Sequence, residues 1–553
     1  MDSGDIALAG RTPFRVRIGV TGHRTAELDR KLDDVLDRIR RLVPASETTP
    51  VRLGVISALA EGADRIVVEE VFEYAADRGE EARLEVVLPF EPERYVAAQG
   101  FSGAVEAQFR ELLSLATSVT QLDGSAARSP AASYEAAGQQ VVNRCDVLIA
   151  LWDGRPTGGR GGTAETLLYA AEVGKPCIWV PTDGQTSCVD NLTDATKFRA
   201  EVRQRAAVAQ ERLSGDAHRQ TDVTEPLEAM FRELDRFNRA SLPPAVELRR
   251  RFERELGALD GTSEWVAGPM MRATVLADRY QRRFVQATWL MAALATAAAA
   301  FLGASVAREH PSPAWGWAEV GCLLALVVVF GLTHHLRLHG RWLSYRLLAE
   351  RLRSAYFMAP TGIDFRRTAG LETVFVERRS ADWVLRAFEE VWDSRPYAVG
   401  PPPTLTAEEV DEQRVKLADR WIGGQIHYHA RAQRRHERRA RALTVLILTL
   451  FAGVLVFAVA HAAHVIESIA ILLSVTLPAA AAAAGAILTT RQHRALAERY
   501  RRMHSDLEAV RRAFREADSQ TIGKTAAEAA HVIAEETGDW FGAMWFLDVE
   551  HPP

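Results

Sequence analysis

Three short segments in the amino-terminal third combine glycine with hydroxyl or charged side chains, the residue types that hold phosphate. The first is Thr21-Gly-His-Arg24, which follows the apolar run 15–20. Glycine lets the backbone approach a ligand, the threonine hydroxyl and free N–H groups can receive an anion, and Arg24 can pair with a phosphate. Many folds also have a glycine turn after a strand where no ligand binds. This segment alone therefore fits both a phosphate site and an ordinary turn.

The second segment is Ser57-Ala-Leu-Ala-Glu-Gly-Ala-Asp64, between the apolar run 51–56 and a helical pattern. Its small residues and Gly62 suit a tight strand-to-helix turn, with a phosphate or ribose over the N-terminus of the helix. The same small residues would also allow close packing of the helix without any ligand.

The third segment carries the strongest signal. Trp152-Asp-Gly154 leads into Gly158-Gly-Arg-Gly-Gly-Thr-Ala-Glu-Thr166 and then into a helical pattern. Four glycines in five positions are entropically costly for a loop without a ligand. Their N–H groups and the helix end can form an anion cradle, Thr163 can add a hydroxyl, and Glu165 can accept hydrogen bonds from ribose.

The three segments together predict one site for a nucleotide or nucleotide-derived ligand, with no metal ion and no other cofactor. The predicted ligand-binding residues are Thr21, Gly22, His23, Arg24, Ser57, Glu61, Gly62, Ala63, Asp64, Trp152, Arg160, Gly161, Gly162, Thr163 and Glu165.

Short β-branched runs position these segments. The runs 15–20, 51–56, 84–88 and 146–151 each adjoin a helical pattern. Such alternation predicts an α/β Rossmann-like domain, with a parallel sheet and helices on both faces. Ligands of such sheets bind at the carboxyl ends of the strands, near the switch in strand order, where the three segments fall.

The carboxyl-terminal half predicts a helical membrane domain with four spans. The apolar segments are 285–307, 314–333, 442–460 and 468–490, and Glu319 is the one acidic or basic residue within their cores. Each segment is long enough to cross a hydrocarbon core of about 30 Å. The net charge of −5 argues against a general nucleic-acid binder. The four cysteines show no metal-binding spacing.

Arginine density predicts the orientation. Arginines cluster before the first and third segments and after the second and fourth, whereas the short connections within each pair hold only Arg308. By the positive-inside rule, both hairpin tips lie outside and both chain termini lie in the cytoplasm. We therefore expect a multi-pass protein of the inner (cytoplasmic) membrane.

The membrane half also contains a repeat. The sequence 345–353 matches 493–501 at an offset of 148, and the same offset pairs Glu319 with Glu467. A duplicated unit of two spans followed by an amphipathic helix is indicated. With the proline-rich linker at 400–403, the predicted domains are 14–182, a helical connecting region 183–271, and two-span units at 272–399 and 400–553.

The soluble motifs resemble those of the SLOG superfamily, which joins DprA-type proteins and Lonely Guy-type phosphoribohydrolases in one Rossmann-like fold. They are GVTGHR at 19–24, ISALAEGADRIVVEE at 56–70, DVLIALWDG at 146–154 and GRGGTAET at 159–166. The resemblance covers about residues 14–182 and implies a nucleotide sensor.

The membrane units resemble the SLATT families, two-span effector modules found with SLOG sensors in bacterial conflict systems. The resemblance rests on the Leu-Ala-Glu-Arg helix after each returning span, at 348–351 and 496–499. It implies an effector that forms a pore in the lipid bilayer or disrupts it during antiviral defence. Small residues in the spans suit close helix packing and hence a homo-oligomer: Gly303, Gly331, Gly453, Gly485 and the alanine run 479–484.

Three functions remain open at this point. The first is a sensor coupled to the effector, and the second is a membrane-anchored phosphoribohydrolase or N-glycosidase. Lonely Guy enzymes carry PGGxGTxxE with a catalytic terminal Glu, whereas the terminal position here is Thr166 and the nearest carboxylate is Glu165. This departure favours binding over turnover, with no catalytic residue unless Glu165 serves. The third function is a constitutive channel or scaffold. DNA binding ranks low, because acidic residues share the loops.

Overall fold

The computed structural model divides the chain into two compact units, residues 11–239 and the residues from 240 onward. The structure describes residues 10–24, 31–122, 129–156, 161–182, 188–206, 223–308, 312–365, 382–397, 406–463, 468–490 and 492–545.

The first unit is built on a seven-stranded sheet in the order β4-β3-β2-β1-β5-β6-β7, parallel except for the β6–β7 pair. The strands are β1 (Phe14–Gly22), β2 (Val51–Ser57), β3 (Arg83–Leu88), β4 (Ala116–Gln121), β5 (Val147–Trp152), β6 (Cys177–Pro181) and β7 (Val189–Asp190). Every residue of β5 and β6 is buried, as expected for central strands covered on both faces. The predicted α/β class is confirmed.

The helices of this unit follow the strands in the alternation that the sequence predicted. They are α1 (Asp33–Arg40), α2 (Ala63–Ala76), α3 (Pro92–Gln99), α4 (Gly103–Ser114), α5 (Pro130–Arg144), α6 (Thr163–Glu172), α7 (Ala195–Ala206) and α8 (Glu225–Arg239). The predicted connecting region 183–271 is divided between the two units. Its residue Phe198 lies in the core with Trp152, and Phe231 packs edge-on against Phe14 at 5.4 Å between ring centroids.

The sheet reverses its strand order between β1 and β5. The chain moves outward from β1 through β2 and β3 to β4, and then returns to pair β5 with the free side of β1. The carboxyl ends of β1 and β5 therefore flank the position where such sheets hold ligands.

The second unit is helical. Its helices are α9 (Ala245–Leu256), α10 (Glu264–Val306), α11 (Pro313–His335), α12 (Leu338–Met358), α13 (Asp382–Asp393), α14 (Ala407–Arg414), α15 (Gly423–Ala462), α16 (Ser468–Thr490), α17 (His493–Glu516) and α18 (Ile522–Trp545). A short 3₁₀ turn, Ala359–Thr361, ends α12, and a π-helical segment, Val415–Ile422, joins α14 to α15.

Four of these helices are long and apolar enough to cross a membrane, and they contain the four predicted segments to within one residue. Large apolar side chains on them lie open, among them Leu324 (62% exposed), Val327 (63%) and Leu455 (67%). Apolar surface of this extent is unfavourable in water and favourable against lipid. The prediction of a multi-pass helical membrane domain is therefore supported by side-chain exposure as well as by length.

The two hairpins repeat in the structure, but at a different offset from the one read in the sequence. Both α11 and α16 have 23 residues and begin 155 positions apart. Each is followed by a residue in the left-handed conformation, Arg337 (φ 46°) and Gln492 (φ 42°), after which α12 and α17 begin. By this offset the equivalent of Glu319 is Ser474, and Glu467 lies outside the described residues.

The offset of 148 is therefore wrong as a structural register by seven residues. Seven residues make about two turns of α-helix, so they return to nearly the same face. A repeated amphipathic pattern fits both offsets, and only the helix ends distinguish them. The linker at 400–403 also lies outside the described residues.

Candidate functional site

The loops after β1 and β5 meet at the switch in strand order. The N–H group of His23 donates a hydrogen bond to the carbonyl of Leu151 (3.2 Å), and its Nε2 lies 2.9 Å from Oδ1 of Asp153. Both side chains of this pair are about one-third exposed, and Arg24 is exposed at the end of the same loop. The pair therefore joins the two loops while remaining open to a ligand.

Asp153 was absent from the predicted site. Partial burial would raise its pKa, but hydrogen bonds from the Arg155 N–H and from His23 outweigh that effect and hold the pKa below its ordinary value. The signal that could have found this residue is its position directly after a buried strand.

The N-terminus of α2 packs directly against the β1 loop. The N–H group of Ala63 donates to the carbonyl of His23 (3.1 Å). Gly62 has φ +82°, and a Cβ there would lie 2.2 Å from the carbonyl oxygen of Arg24. A Cβ on Gly22 would lie 2.2 Å from the Cβ of Ala63. These two glycines are required by close packing of the protein itself, whether or not a ligand is present.

The side chains of Ser57 and Asp64 shape the loop between β2 and α2. The Oδ2 atom of Asp64 accepts hydrogen bonds from the Ser57 hydroxyl (2.9 Å), the Ala58 N–H (3.1 Å) and the Ala60 N–H (3.4 Å). The Ser57 hydroxyl also accepts from the N–H of Leu59, a buried residue with φ 55°. Both polar side chains are buried and engaged, so they hold the loop rather than face a ligand. Glu61 is exposed on the same loop.

The glycine-rich loop before α6 has its own internal hydrogen bond. Gly161 has φ +82°, and its N–H group donates to Oε2 of Glu165 (2.7 Å). A Cβ on Gly161 would lie 2.7 Å from the N atom of Glu135 on α5. Gly162 is the N-cap of α6 and provides no side-chain cap, and the following Thr163 is buried. Such a helix end has N–H groups available for an anion. Arg160 lies outside the described residues.

Trp152 has a different role from the predicted one. Its ring is fully buried, its Nε1 donates to the carbonyl of Arg155 (2.9 Å), and it packs against Trp179 at 4.9 Å between ring centroids. A ring without exposed surface cannot stack on a ligand. The indole belongs to the core between β5 and β6, and this corrects the predicted ligand contact.

The structure thus joins the first two segments through the contact between His23 and Ala63, and joins the first to the β5 end through His23 and Asp153. The Gly161–Glu165 turn instead packs against α5. Thr21 lies within β1, paired with Ala150 of β5. Among the described residues, no group of three or more His, Cys, Asp or Glu could hold a metal ion.

Together the two units define a class, a multi-pass helical membrane protein that carries an α/β domain. Residues 417–540 match the family model described as SMODS and SLOG-associating 2TM effector domain 1 (SLATT_1). The match begins in the π-helical segment, spans α15, α16 and α17, and ends within α18. This part of the chain, with two of the four long apolar helices, is therefore similar to a two-span effector domain. No curated protein and no solved structure matches.

Proposed function

We propose that the α/β unit senses a nucleotide-derived signal and controls a four-span effector that opens or disrupts the inner membrane in bacterial anti-phage or conflict defence. The observation that carries this proposal is the match of residues 417–540 to a two-span effector domain. The matched family is described as associating with SLOG, and the α/β unit resembles SLOG proteins at the carboxyl ends of its strands.

The site geometry favours binding over hydrolysis, the alternative function. A phosphoribohydrolase needs a carboxylate that can reach the reacting sugar and activate water. Glu165 accepts a hydrogen bond from the loop N–H of Gly161, and Asp64 is buried and accepts three. Both carboxylates are therefore used to hold loops. The exposed His23–Asp153 pair, Arg24 and the N-terminus of α6 are suited to bind phosphate and ribose.

Purified full-length protein in dye-loaded liposomes tests the proposal. Cyclic dinucleotides, ADP-ribose derivatives and NAD-like molecules are added in turn, and dye release is measured. We expect release only with a ligand. Arg24→Ala removes a phosphate partner, and Gly162→Asp places a carboxylate at the anion position while keeping an N-cap residue that helices favour. Each variant should abolish ligand-dependent release and leave membrane insertion intact.

A matched control is Arg41→Ala. Arg41 is exposed at the end of α1, which leads to the amino end of β2 and so lies at the opposite edge of the sheet. This variant should leak like the wild type when the ligand is added. Stoichiometric release of free base without leakage would instead establish the hydrolase. Leakage that is insensitive to every nucleotide, with no binding by calorimetry, would contradict sensing.

A further inference from the structure

The helical unit contains a partly open cavity of about 1230 Å³ between the helices of both hairpin repeats. Its wall includes Arg282 and Trp289 on α10, Arg346 on α12, and Arg439 and Leu446 on α15. One side of the cavity thus lies among the polar, arginine-rich parts of these helices. The other side lies where α10 and α15 become apolar. The cavity therefore extends across the boundary between the polar and the apolar parts of α10 and α15, where lipid headgroups are expected.

Positive charge dominates this wall. Within the described part of the chain it carries three carboxylates, Glu255, Asp278 and Glu350, all of which are already paired. Arg251 contacts Asp278 (2.8 Å) and Glu255 (3.0 Å), and Arg353 contacts Glu255 (2.7 Å) and Glu350 (2.9 Å). The wall arginines number nine and therefore exceed the acids: Arg251, Arg254, Arg282, Arg346, Arg353, Arg420, Arg431, Arg435 and Arg439.

The arginines nearest the apolar segments remain available. Arg282, Arg435 and Arg439 are exposed, and no carboxylate among the described residues forms an ion pair with them. Deeper in the cavity, Arg346 is held in place because it donates to the hydroxyl of Tyr428 (2.6 Å). A phosphate between α10 and α15 could therefore receive charge-assisted hydrogen bonds from several guanidinium groups at once.

The apolar side of the cavity indicates which phosphate compound fits. Trp289 is 48% exposed and Leu446 is 44% exposed, and both lie within the membrane-crossing segments. Tryptophan is favoured at headgroup level, and basic pockets between membrane helices bind anionic headgroups. A soluble phosphate would use the arginines but leave this apolar wall uncovered. A phospholipid would fill both sides.

We propose that this cavity binds the phosphate headgroup of an anionic phospholipid, with the arginines of the two hairpin repeats around the phosphate and an acyl chain along Trp289 and Leu446. Because α10 belongs to the first repeat and α15 to the second, the bound lipid links the two repeats. This assignment is independent of nucleotide sensing by the α/β unit.

Native mass spectrometry of the full-length protein in a non-ionic detergent tests the site, with phosphatidylglycerol or phosphatidylcholine added. The double variant Arg435→Gln/Arg439→Gln should bind phosphatidylglycerol roughly tenfold or more weakly than wild type. The matched control is Arg434→Gln/Arg438→Gln, which removes two exposed arginines of the same helix, one residue away, that do not line the cavity. It should bind as the wild type does.

Arg282→Gln gives a second test from a different helix and should also weaken phosphatidylglycerol binding. Equal binding of phosphatidylglycerol by the lining and control variants would overturn the proposal. It would mean that any loss of binding comes from the general surface charge and not from the cavity. Equal binding of phosphatidylcholine would overturn the requirement for an anionic lipid. Displacement of the lipid by inorganic phosphate at an equal concentration would assign the site to a soluble phosphate and likewise overturn it.

Discussion

At the scale of single residues, Asp64 holds the loop between β2 and α2 through hydrogen bonds to one carboxylate oxygen. Its carboxylate is buried, and all three of its hydrogen bonds are accepted by a single oxygen atom, Oδ2. Burial raises its pKa to about 6, although the hydrogen bonds from Ser57, Ala60 and Ala58 oppose that rise. The residue therefore orders the loop in which the candidate site lies and makes that loop sensitive to pH.

Asp64→Asn should remove this pH dependence. The folded state binds the Asp64 proton more tightly than the unfolded state, so this contribution to stability is full below pH 4 and is lost as the pH rises to about 6. Asparagine can keep the three hydrogen bonds through its carbonyl oxygen and cannot ionise. Relative to wild type, the variant should gain up to about 3 kcal/mol between pH 4 and pH 7.

Hydrogen exchange of peptides from β2 and α2 at pH 5 and pH 7.5, corrected for intrinsic rates, measures the effect in the full-length protein. Asp77→Asn serves as control, because Asp77 is exposed at the end of the same helix. If Asp64→Asn changes the stability by the same amount at both pH values, the raised pKa of Asp64 is not the source of the pH dependence.

At the scale of elements, the approach of α2 to the β1 loop fixes the geometry of the site. The N-terminus of α2 donates to the carbonyl of His23, and a Cβ on Gly62 would overlap the carbonyl of Arg24. The helix can approach this closely because the contacting residues have little or no side chain. The position of Arg24 in the candidate site therefore depends on how closely α2 packs against the β1 loop.

Gly62→Ala should displace α2 from the β1 loop. The new Cβ would lie 2.2 Å from the carbonyl oxygen of Arg24, a backbone atom that cannot rotate away. We expect a loss of about 2 kcal/mol or more in the local stability of this unit. Gly79→Ala is the matched control, because Gly79 also has positive φ but open space around its Cβ position. It should cost about 1 kcal/mol. Equal rates of hydrogen exchange in β2 and α2 of the two variants would show that the contact of Gly62 with the β1 loop is not required.

At the scale of the whole molecule, the two hairpins share a returning span of 23 residues and a left-handed residue, Arg337 or Gln492, just before the following helix. A duplicated hairpin with a shared arginine-lined cavity has more structure than an anchor requires, since one span would tether a domain. This supports an active role for the membrane unit, while the direction in which it is inserted stays a prediction from arginine density.

Cysteine labelling tests that orientation. Ala463→Cys places an exposed thiol at the end of α15, and Ser505→Cys places one on α17. The background replaces Cys188 and Cys322, the partly exposed native cysteines, by alanine. A membrane-impermeant maleimide should label Ala463→Cys in spheroplasts with an intact inner membrane, and Ser505→Cys only after permeabilisation. The reverse pattern would invert the predicted topology.

The sequence predicted the α/β class, the four membrane segments and the loops that approach one another, because these depend on local properties. A buried strand such as β5 appears in the sequence as a short run of apolar residues, and a membrane span appears as a much longer run. It could not predict which members of those loops face outward. Trp152 and Asp64 have the chemistry of ligand contacts, but the burial that removes them from the surface comes from Trp179 and from the loop N–H groups.

The amino-acid sequence by itself thus determined the kinds of element and their order, through periodicity, apolar length and glycine content. Tertiary structure alone decided three things: the pairing of His23 with Asp153, the register of the hairpin repeat, and the gathering of distant arginines around one cavity. In each case the local pattern is compatible with more than one arrangement. A helical pattern returns to the same face after seven residues, and contacts between distant segments depend on packing that no local pattern encodes.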